Sequence, residues 1–87
     1  MTTMVSLAIH PGEHIAEELT ARAMTAADLA RAMGVDAGRV SRLINAQISV
    51  TGDTALRLAD AFGTSAEFWM RLQGDYDLAL AREARVA

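Results

Sequence analysis

Four hydrogen-bonding side chains on one predicted helix are the part of this sequence best suited to chemistry. The helix is predicted over residues 37–45, where Val40, Leu43 and Ile44 form a narrow apolar stripe. The outward positions carry Arg39, Ser41, Arg42 and Asn45. Arginine, serine and asparagine are side-chain types that contact base edges or phosphates of DNA. The pattern therefore indicates a helix that binds double-stranded DNA.

A second group of candidate ligands lies near the N-terminus. His10 and His14 are four residues apart and have three glutamates beside them, a spacing at which imidazoles and a carboxylate can face one metal ion. Pro11, however, places His10 at or before the start of the helix, and no further ligand cluster follows. We interpret the histidines as capping or surface residues, and we predict no metal and no cofactor.

The charge distribution bears directly on DNA binding. The formal net charge is -3, which opposes binding because Lys and Arg must neutralise phosphates. Residues 26–50, however, carry three arginines and two aspartates, a local charge of +1. All eight basic residues are arginine, the side chain suited to bidentate contacts, although a GC-rich genome produces the same bias. Positive charge is thus concentrated where DNA binding is predicted.

Composition excludes several classes of protein. A chain of 87 residues has room for one domain, and its 18 alanines favour helices. No cysteine is present for disulfides or thiolate zinc sites, and no run approaches the roughly 20 apolar residues of a membrane span. The sequence has no serine elbow, no phosphate loop and no carboxylates clustered in a context that would form a cleft. We predict a cytoplasmic protein that is not an enzyme.

Two short helices joined at a glycine position the DNA-binding side chains. Thr25 and Asp28 resemble a capping box for a helix over residues 26–33, Gly34 ends that helix, and Asp36 caps the next. The spacing of small and apolar residues fits a helix-turn-helix. The positions concerned are Leu29, Ala30, Gly34, Val35, Val40 and Leu43. An ordinary helical hairpin is the alternative.

Three further helices complete the predicted all-α fold. The first begins at Pro11 and extends to about Ala23, and the fourth runs from Thr51 or Gly52 to Gly63. The fifth follows Ser65 and either continues to the terminus or breaks or kinks at Gly74. Its aromatic stripe is interpreted as core or homodimer interface rather than a ligand pocket. The predicted interface residues are Phe68, Trp69, Leu72 and Tyr76.

Several blocks of the sequence resemble the HigA (VapI-type) antitoxins, within the Xre/Cro-like helix-turn-helix regulators. The resemblance covers more than three quarters of the chain in matching order and spacing. The blocks are His10-Pro11-Gly12-Glu13, the run DTALRLA from Asp53 to Ala59, the run GTSAEFW from Gly63 to Trp69, and Leu72-Gln73 with Tyr76-Asp77-Leu78. Residues 1–9 precede them as an N-terminal extension, and residues 10–87 form the helix-turn-helix domain with a C-terminal helix for packing or dimerisation.

The resemblance implies a five-helix, lambda-repressor-like domain that pairs as a homodimer and binds a palindromic operator in its own promoter. It also implies neutralisation of a RelE-like mRNA interferase made from the adjacent gene. A stand-alone Xre-type regulator without a toxin, or an interaction module that has lost DNA binding, is the alternative. The predicted DNA-binding residues are Ala37, Gly38, Arg39, Ser41, Arg42, Asn45, Gln47 and Thr51.

The sequence departs from the family pattern at positions that usually contact phosphates. Ala26 and Ala27 stand where similar proteins often have glutamine, and Asn45 is followed by Ala46 and Gln47 rather than by glycine and basic residues. Each missing phosphate contact lowers by roughly 0.9 the slope with which the logarithm of the binding constant falls against the logarithm of the salt concentration. We therefore expect weaker and less salt-sensitive DNA binding than in a more basic relative.

Overall fold

The computed structural model describes residues 8–86 and contains five helices there, with no strand among these residues. The helices are α1 (Pro11–Ala21), α2 (Ala26–Met33), α3 (Ala37–Ile44), α4 (Gly52–Phe62) and α5 (Ala66–Val86). The predicted all-α, five-helix fold is confirmed. The predicted N-terminal extension lies almost entirely outside the described residues.

The predicted caps of the helix-turn-helix are present. Thr25 Oγ1 accepts a hydrogen bond from the backbone N–H of Asp28 at 3.0 Å, and the Asp28 carboxylate accepts one from the N–H of Thr25 at 2.9 Å. Asp36 caps α3 by accepting from the N–H of Arg39 at 2.8 Å. Gly34 has φ +72°, a conformation that glycine adopts without steric cost. Asn45 follows the last helical residue of α3 as its C-cap.

Helix α5 is continuous over 21 residues, so the predicted alternative of a break at Gly74 is wrong. A glycine inside a helix costs only about 1 kcal/mol relative to alanine. The neighbouring Gln73 is buried and donates to the Asp77 carboxylate at 2.9 Å, one turn further on. The burial of Gln73 before Gly74 and its hydrogen bond to Asp77 after it thus support a helix that continues through the glycine.

Apolar side chains from all five helices form one core. Trp69 lies at 1 % exposure within it and donates from Nε1 to Thr64 Oγ1 at 2.8 Å. This placement corrects its assignment to a dimer interface, because a side chain buried in its own subunit has no surface left to contribute. The core residues are Ile15, Leu19, Leu29, Ala30, Met33, Val40, Leu43, Val50, Ala55, Leu58, Phe62 and Trp69.

The rest of the aromatic stripe packs against α1. The Phe68 ring meets His14 edge to face at a centroid distance of 6.2 Å, and the Tyr76 ring meets His10 at 4.9 Å. Leu72 is half-buried between them. Contacts within the chain therefore account for much of the surface that the sequence analysis assigned to dimerisation.

Residues 8–86 can be searched for two features that the sequence analysis did not expect, a membrane-spanning helix and a metal site. No helix there is long and apolar enough to cross a membrane. No group of three or more His, Asp or Glu side chains among the same residues is arranged to hold a metal ion.

Candidate nucleic-acid interface

Helix α3 is anchored by its apolar stripe and presents its polar side outward. Val40 and Leu43 are fully buried against α1 and α2, and Ile44 is half-buried. Every predicted DNA-binding residue except Arg39 is exposed. These exposed residues are Ala37, Gly38, Ser41, Arg42, Asn45, Gln47 and Thr51.

Arg42 is the arginine of α3 that is free to bind a ligand. Its side chain is exposed, and no hydrogen bond or ion pair joins it to another residue of the described range 8–86. Its guanidinium lies over Gly38, where an added Cβ atom would sit 3.3 Å from Nη1. The missing side chain at Gly38 leaves space for the guanidinium along the helix surface. A guanidinium placed in this way can make bidentate contacts to guanine or phosphate.

Arg39 is held against α4 and differs in this from the sequence-based expectation of an outward side chain. Its Nη2 donates to Asp53 at 3.1 Å and to Thr54 Oγ1 at 2.7 Å, and the side chain is 28 % exposed. The cause is that α4 presents the carboxylate of Asp53 and the hydroxyl of Thr54 to the guanidinium, from 14 and 15 residues further along the chain. Arg39 thus positions α3, and its charge is partly neutralised within the chain.

The same carboxylate links α4 to the end of α2. Arg57 donates from Nε to Asp53 at 3.0 Å and from Nη1 to the carbonyl oxygen of Met33 at 2.8 Å, where a cation complements the negative end of a helix. Hydrogen bonds from Arg57 and from Arg39 hold the pKa of Asp53 below its ordinary value of 3.8. One network therefore joins the two helices of the helix-turn-helix to α4.

Replacing Asp53 with asparagine tests this network through its pH dependence. A lowered folded-state pKa means that ionised Asp53 stabilises the fold above pH 3.8, and that this contribution is lost as the pH falls through the folded pKa. We expect Asp53→Asn to lower the melting temperature modestly near neutral pH, since exposed ion pairs are weak. The difference from wild type should shrink in acid.

Thermal unfolding followed by circular dichroism from about pH 7 to pH 2 measures the effect. Asp60→Asn is the matched control, because Asp60 is exposed on the same helix and bonds to no side chain between residues 8 and 86. A constant offset between Asp53→Asn and wild type at every pH would contradict the role given to the Asp53 charge.

His10 fixes the loop that follows α3. Its Nδ1 accepts from the N–H of Gly12 at 2.8 Å, which makes it the N-cap of α1, and its Nε2 donates to the carbonyl oxygen of Ile48 at 2.9 Å. This pair of bonds requires the neutral ring with its hydrogen on Nε2. The capping interpretation is confirmed, and the buried ring also ties the start of α1 to the loop after α3.

Gln73 holds the other end of the same loop. Its Oε1 accepts from the buried N–H of Val50 at 2.7 Å. The loop is also shaped by Ala46, which has φ +60°, a left-handed conformation that costs a residue with a side chain roughly 1–2 kcal/mol. Glycine, which the family pattern in the sequence analysis has after the recognition helix, adopts this conformation without steric cost. The exposed Gln47 and the α4 cap Thr51 are thereby held beside α3.

The sequence analysis did not identify the residues that position this interface. His10, Asp53 and Gln73 all lie within the sequence blocks that carried the family resemblance. Their position in those blocks was the one signal that could have identified them. Gln73, however, bonds to a residue 23 positions away, and His10 to one 38 positions away. No local pattern identifies a hydrogen-bond partner at that separation.

Comparison with known proteins agrees with this arrangement. Residues 15–69, more than half of the chain, match the helix-turn-helix family model HTH_3. The virulence-associated protein I of Dichelobacter nodosus is 42 % identical over 77 residues, which cover 87 % of this chain and 71 % of that protein.

Solved structures with the same fold are also similar in sequence. An addiction module antidote protein of the HigA family from Coxiella burnetii is 46 % identical with a TM-score of 0.84, covering 88 % of this chain and 85 % of that one. The antitoxin HigA of Pseudomonas aeruginosa, solved with the higBA promoter, is 44 % identical with a TM-score of 0.84 and the same coverages. The chain described here therefore belongs to the HigA family of helix-turn-helix antitoxins.

Proposed function

We propose that this protein binds a palindromic operator in its own promoter as a homodimer and neutralises a RelE-like mRNA interferase encoded beside it. The observation that carries the DNA-binding part is the exposed outer side of α3, on which Arg42 is unpaired among the described residues. The relative from Pseudomonas aeruginosa, solved with promoter DNA, supports the same assignment. Such a repressor acts in the cytoplasm, where bacterial DNA lies. The family is not enzymatic, which confirms the prediction that the chain is not an enzyme.

The charge pattern of the interface sets its expected affinity. Arg39 is already paired with Asp53, so α3 contributes Arg42 as its free cation. A dimer presents this arginine twice, once to each half-site of an operator. Each phosphate contact makes the logarithm of the binding constant fall by roughly 0.9 for each tenfold rise in salt concentration. Because the interface offers few such contacts, we expect affinity to depend only weakly on salt.

Replacing Arg42 with alanine is expected to weaken operator binding by about 1–3 kcal/mol, that is, by about five- to 150-fold. The loss should be accompanied by relaxed sequence preference at one base pair of each half-site, because a bidentate contact to guanine discriminates among bases. Fluorescence anisotropy with DNA from upstream of the gene measures both effects.

Arg82→Ala is the matched control, since Arg82 is an exposed arginine on α5, away from α3. Arg39→Ala separates positioning from base contact. It should weaken binding to all sequences alike while lowering stability, because its guanidinium bonds to α4. Equal affinity of Arg42→Ala and wild type for the operator would remove Arg42 from the interface.

Co-expression with the adjacent reading frame tests the antitoxin part. We expect a small basic protein to copurify with this chain and the growth arrest that it causes to be relieved. If nothing copurifies and growth is not rescued, while upstream DNA is still bound, the protein is a stand-alone regulator. If upstream DNA is not bound even at low salt, the DNA-binding proposal fails as well.

A further inference from the structure

The loop between α3 and α4 is held from its inner side at two neighbouring points. The carbonyl oxygen of Ile48 accepts a hydrogen bond from the buried ring of His10 at 2.9 Å. The backbone N–H of Val50 donates to the buried side chain of Gln73 at 2.7 Å. Ser49 stands between these two anchored groups and is itself exposed. One serine of the loop therefore faces solvent with its backbone fixed on both sides.

These two bonds set the direction of the backbone groups of Ser49. In a planar trans peptide unit the C=O and N–H bonds point in opposite directions, and residues 8–86 contain no cis peptide bond. Because the carbonyl of Ile48 points inward to His10, the N–H of Ser49, which belongs to the same peptide unit, points outward. In the next unit the N–H of Val50 points inward, so the carbonyl oxygen of Ser49 also points outward. Ser49 thus presents both of its backbone groups to solvent.

The two hydrogen-bond donors of Ser49 are unused within the described part of the chain. Neither its N–H nor its hydroxyl bonds to another residue of the range 8–86. The N–H groups of Asn45, Ala46 and Gln47, by contrast, all donate to carbonyl oxygens of α3. A donor that is already held in its binding orientation loses little conformational entropy when a ligand binds. The Ser49 N–H is therefore prepared for an acceptor from outside the chain.

The charges near Ser49 favour an anionic acceptor. Residues 45–51 contain no acidic side chain. The nearest acid along the chain is Asp53, whose carboxylate is bonded to Arg39 at 3.1 Å and to Arg57 at 3.0 Å, so that two guanidinium groups offset its charge. Backbone N–H groups and serine hydroxyls are regular donors to phosphate oxygens in protein–DNA complexes. The loop directly after α3 thus offers a phosphate two donors and no uncompensated carboxylate.

We propose that Ser49 binds a phosphate of the operator backbone through its N–H and its hydroxyl. The proposal rests on the DNA binding in the proposed function and adds to it a phosphate site without a positive charge. In the family pattern basic residues follow the recognition helix, whereas this chain has Ala46 and Gln47 there. A fixed neutral donor supplies a backbone contact in place of those cations. Because an uncharged donor does not neutralise the phosphate, its contribution to affinity depends little on salt.

Amide hydrogen exchange followed by NMR tests the N–H contact. In the free protein the Ser49 amide should exchange fast and the Val50 amide slowly, since the first is exposed and the second is buried and bonded. A saturating amount of operator duplex should slow the exchange of the Ser49 amide about tenfold or more. The Ser65 amide is the matched control, because it is also exposed, has no bond within residues 8–86, and lies beyond the far end of α4. Its rate should not change.

Ser49→Ala tests the hydroxyl contact. The loss of the hydroxyl should weaken binding to the operator and to unrelated duplex DNA alike, by about three- to tenfold, because a phosphate contact carries no sequence information. The dependence of affinity on salt should stay as in wild type, and so should the melting temperature. Thr20→Ala is the matched control, since the Thr20 hydroxyl is exposed near the end of α1 that lies away from His10 and bonds only to its own helix.

The possible outcomes distinguish this site from the proposed function. If the protein binds operator DNA while the Ser49 amide exchanges as fast as before, or while Ser49→Ala binds like wild type, the pair of contacts is wrong and the proposed function stands. A loss in Ser49→Ala that is confined to the operator would also overturn the phosphate site, because it would indicate a base contact. If no duplex binds even at low salt, the DNA-binding part of the proposed function fails together with this site.

Discussion

Replacing Trp69 with alanine is expected to lower the free energy of unfolding by about 3–5 kcal/mol, the usual cost of removing a large buried aromatic side chain. The indole is 1 % exposed and lies 5.9 Å from the Phe62 ring and 5.1 Å from the Phe68 ring, centroid to centroid. The variant would also leave Thr64 without its bond from Nε1. Small domains have total stabilities of about 5–15 kcal/mol, so the variant should lose a large part of the stability of the fold.

Urea unfolding measures the loss of stability. It is monitored by far-UV circular dichroism, which reports helix content and does not need the tryptophan. Phe68→Ala is the matched control, because Phe68 is the adjacent aromatic residue and is 41 % exposed. We expect it to cost clearly less than Trp69→Ala. A Trp69→Ala protein with wild-type stability would show that the indole contributes little to the core, and would return Trp69 to the list of interface candidates.

Gly12→Ala should have the second large effect, because α1 touches the end of α3 at this point. An added Cβ atom would lie 2.8 Å from the carbonyl oxygen of Ile44 and closer still to that of Leu43. Backbone oxygens cannot rotate away, so the two helices must separate. Forced backbone shifts of this kind cost about 1–3 kcal/mol or more. The displacement should also weaken operator binding, since α3 carries the exposed side chains that we propose to contact DNA.

Gly74→Ala is the matched control within the same chain. Nothing lies within 4 Å of the position that its Cβ atom would take, and alanine is favoured over glycine in a helix by roughly 0.5–1 kcal/mol. The control should therefore raise the melting temperature slightly while Gly12→Ala lowers it strongly. Comparable melting temperatures for Gly12→Ala and wild type, with equal operator affinity, would exclude the tight contact between α1 and α3.

The local features of the fold could be predicted from the sequence. The capping box of Thr25 and Asp28 and the turn at Gly34 are encoded within a few residues, and α2 has the predicted bounds. The apolar spacing of Val40 and Leu43 likewise placed α3 correctly. These features depend on neighbours in the chain, so their physical causes are visible in the sequence itself.

The side-chain partners could not be predicted, because they depend on packing between distant elements. Arg39 and Arg42 look alike on a helical projection, yet Asp53 and Thr54 bind one of them and leave the other exposed. Periodicity likewise could not decide whether Trp69 faces the core or a partner. The partner of Arg39 and the burial of Trp69 both depend on how α4 and α5 pack against the other helices.

The separation between exposed and anchored residues on α3 has a consequence for how DNA preference can change. Ala37, Ser41 and Arg42 extend into solvent, whereas Arg39 and the apolar stripe hold the helix in place. New side chains at the exposed positions would meet no neighbouring helix. If these positions contact DNA as proposed, a few substitutions there would change the preferred target site without interfering with folding.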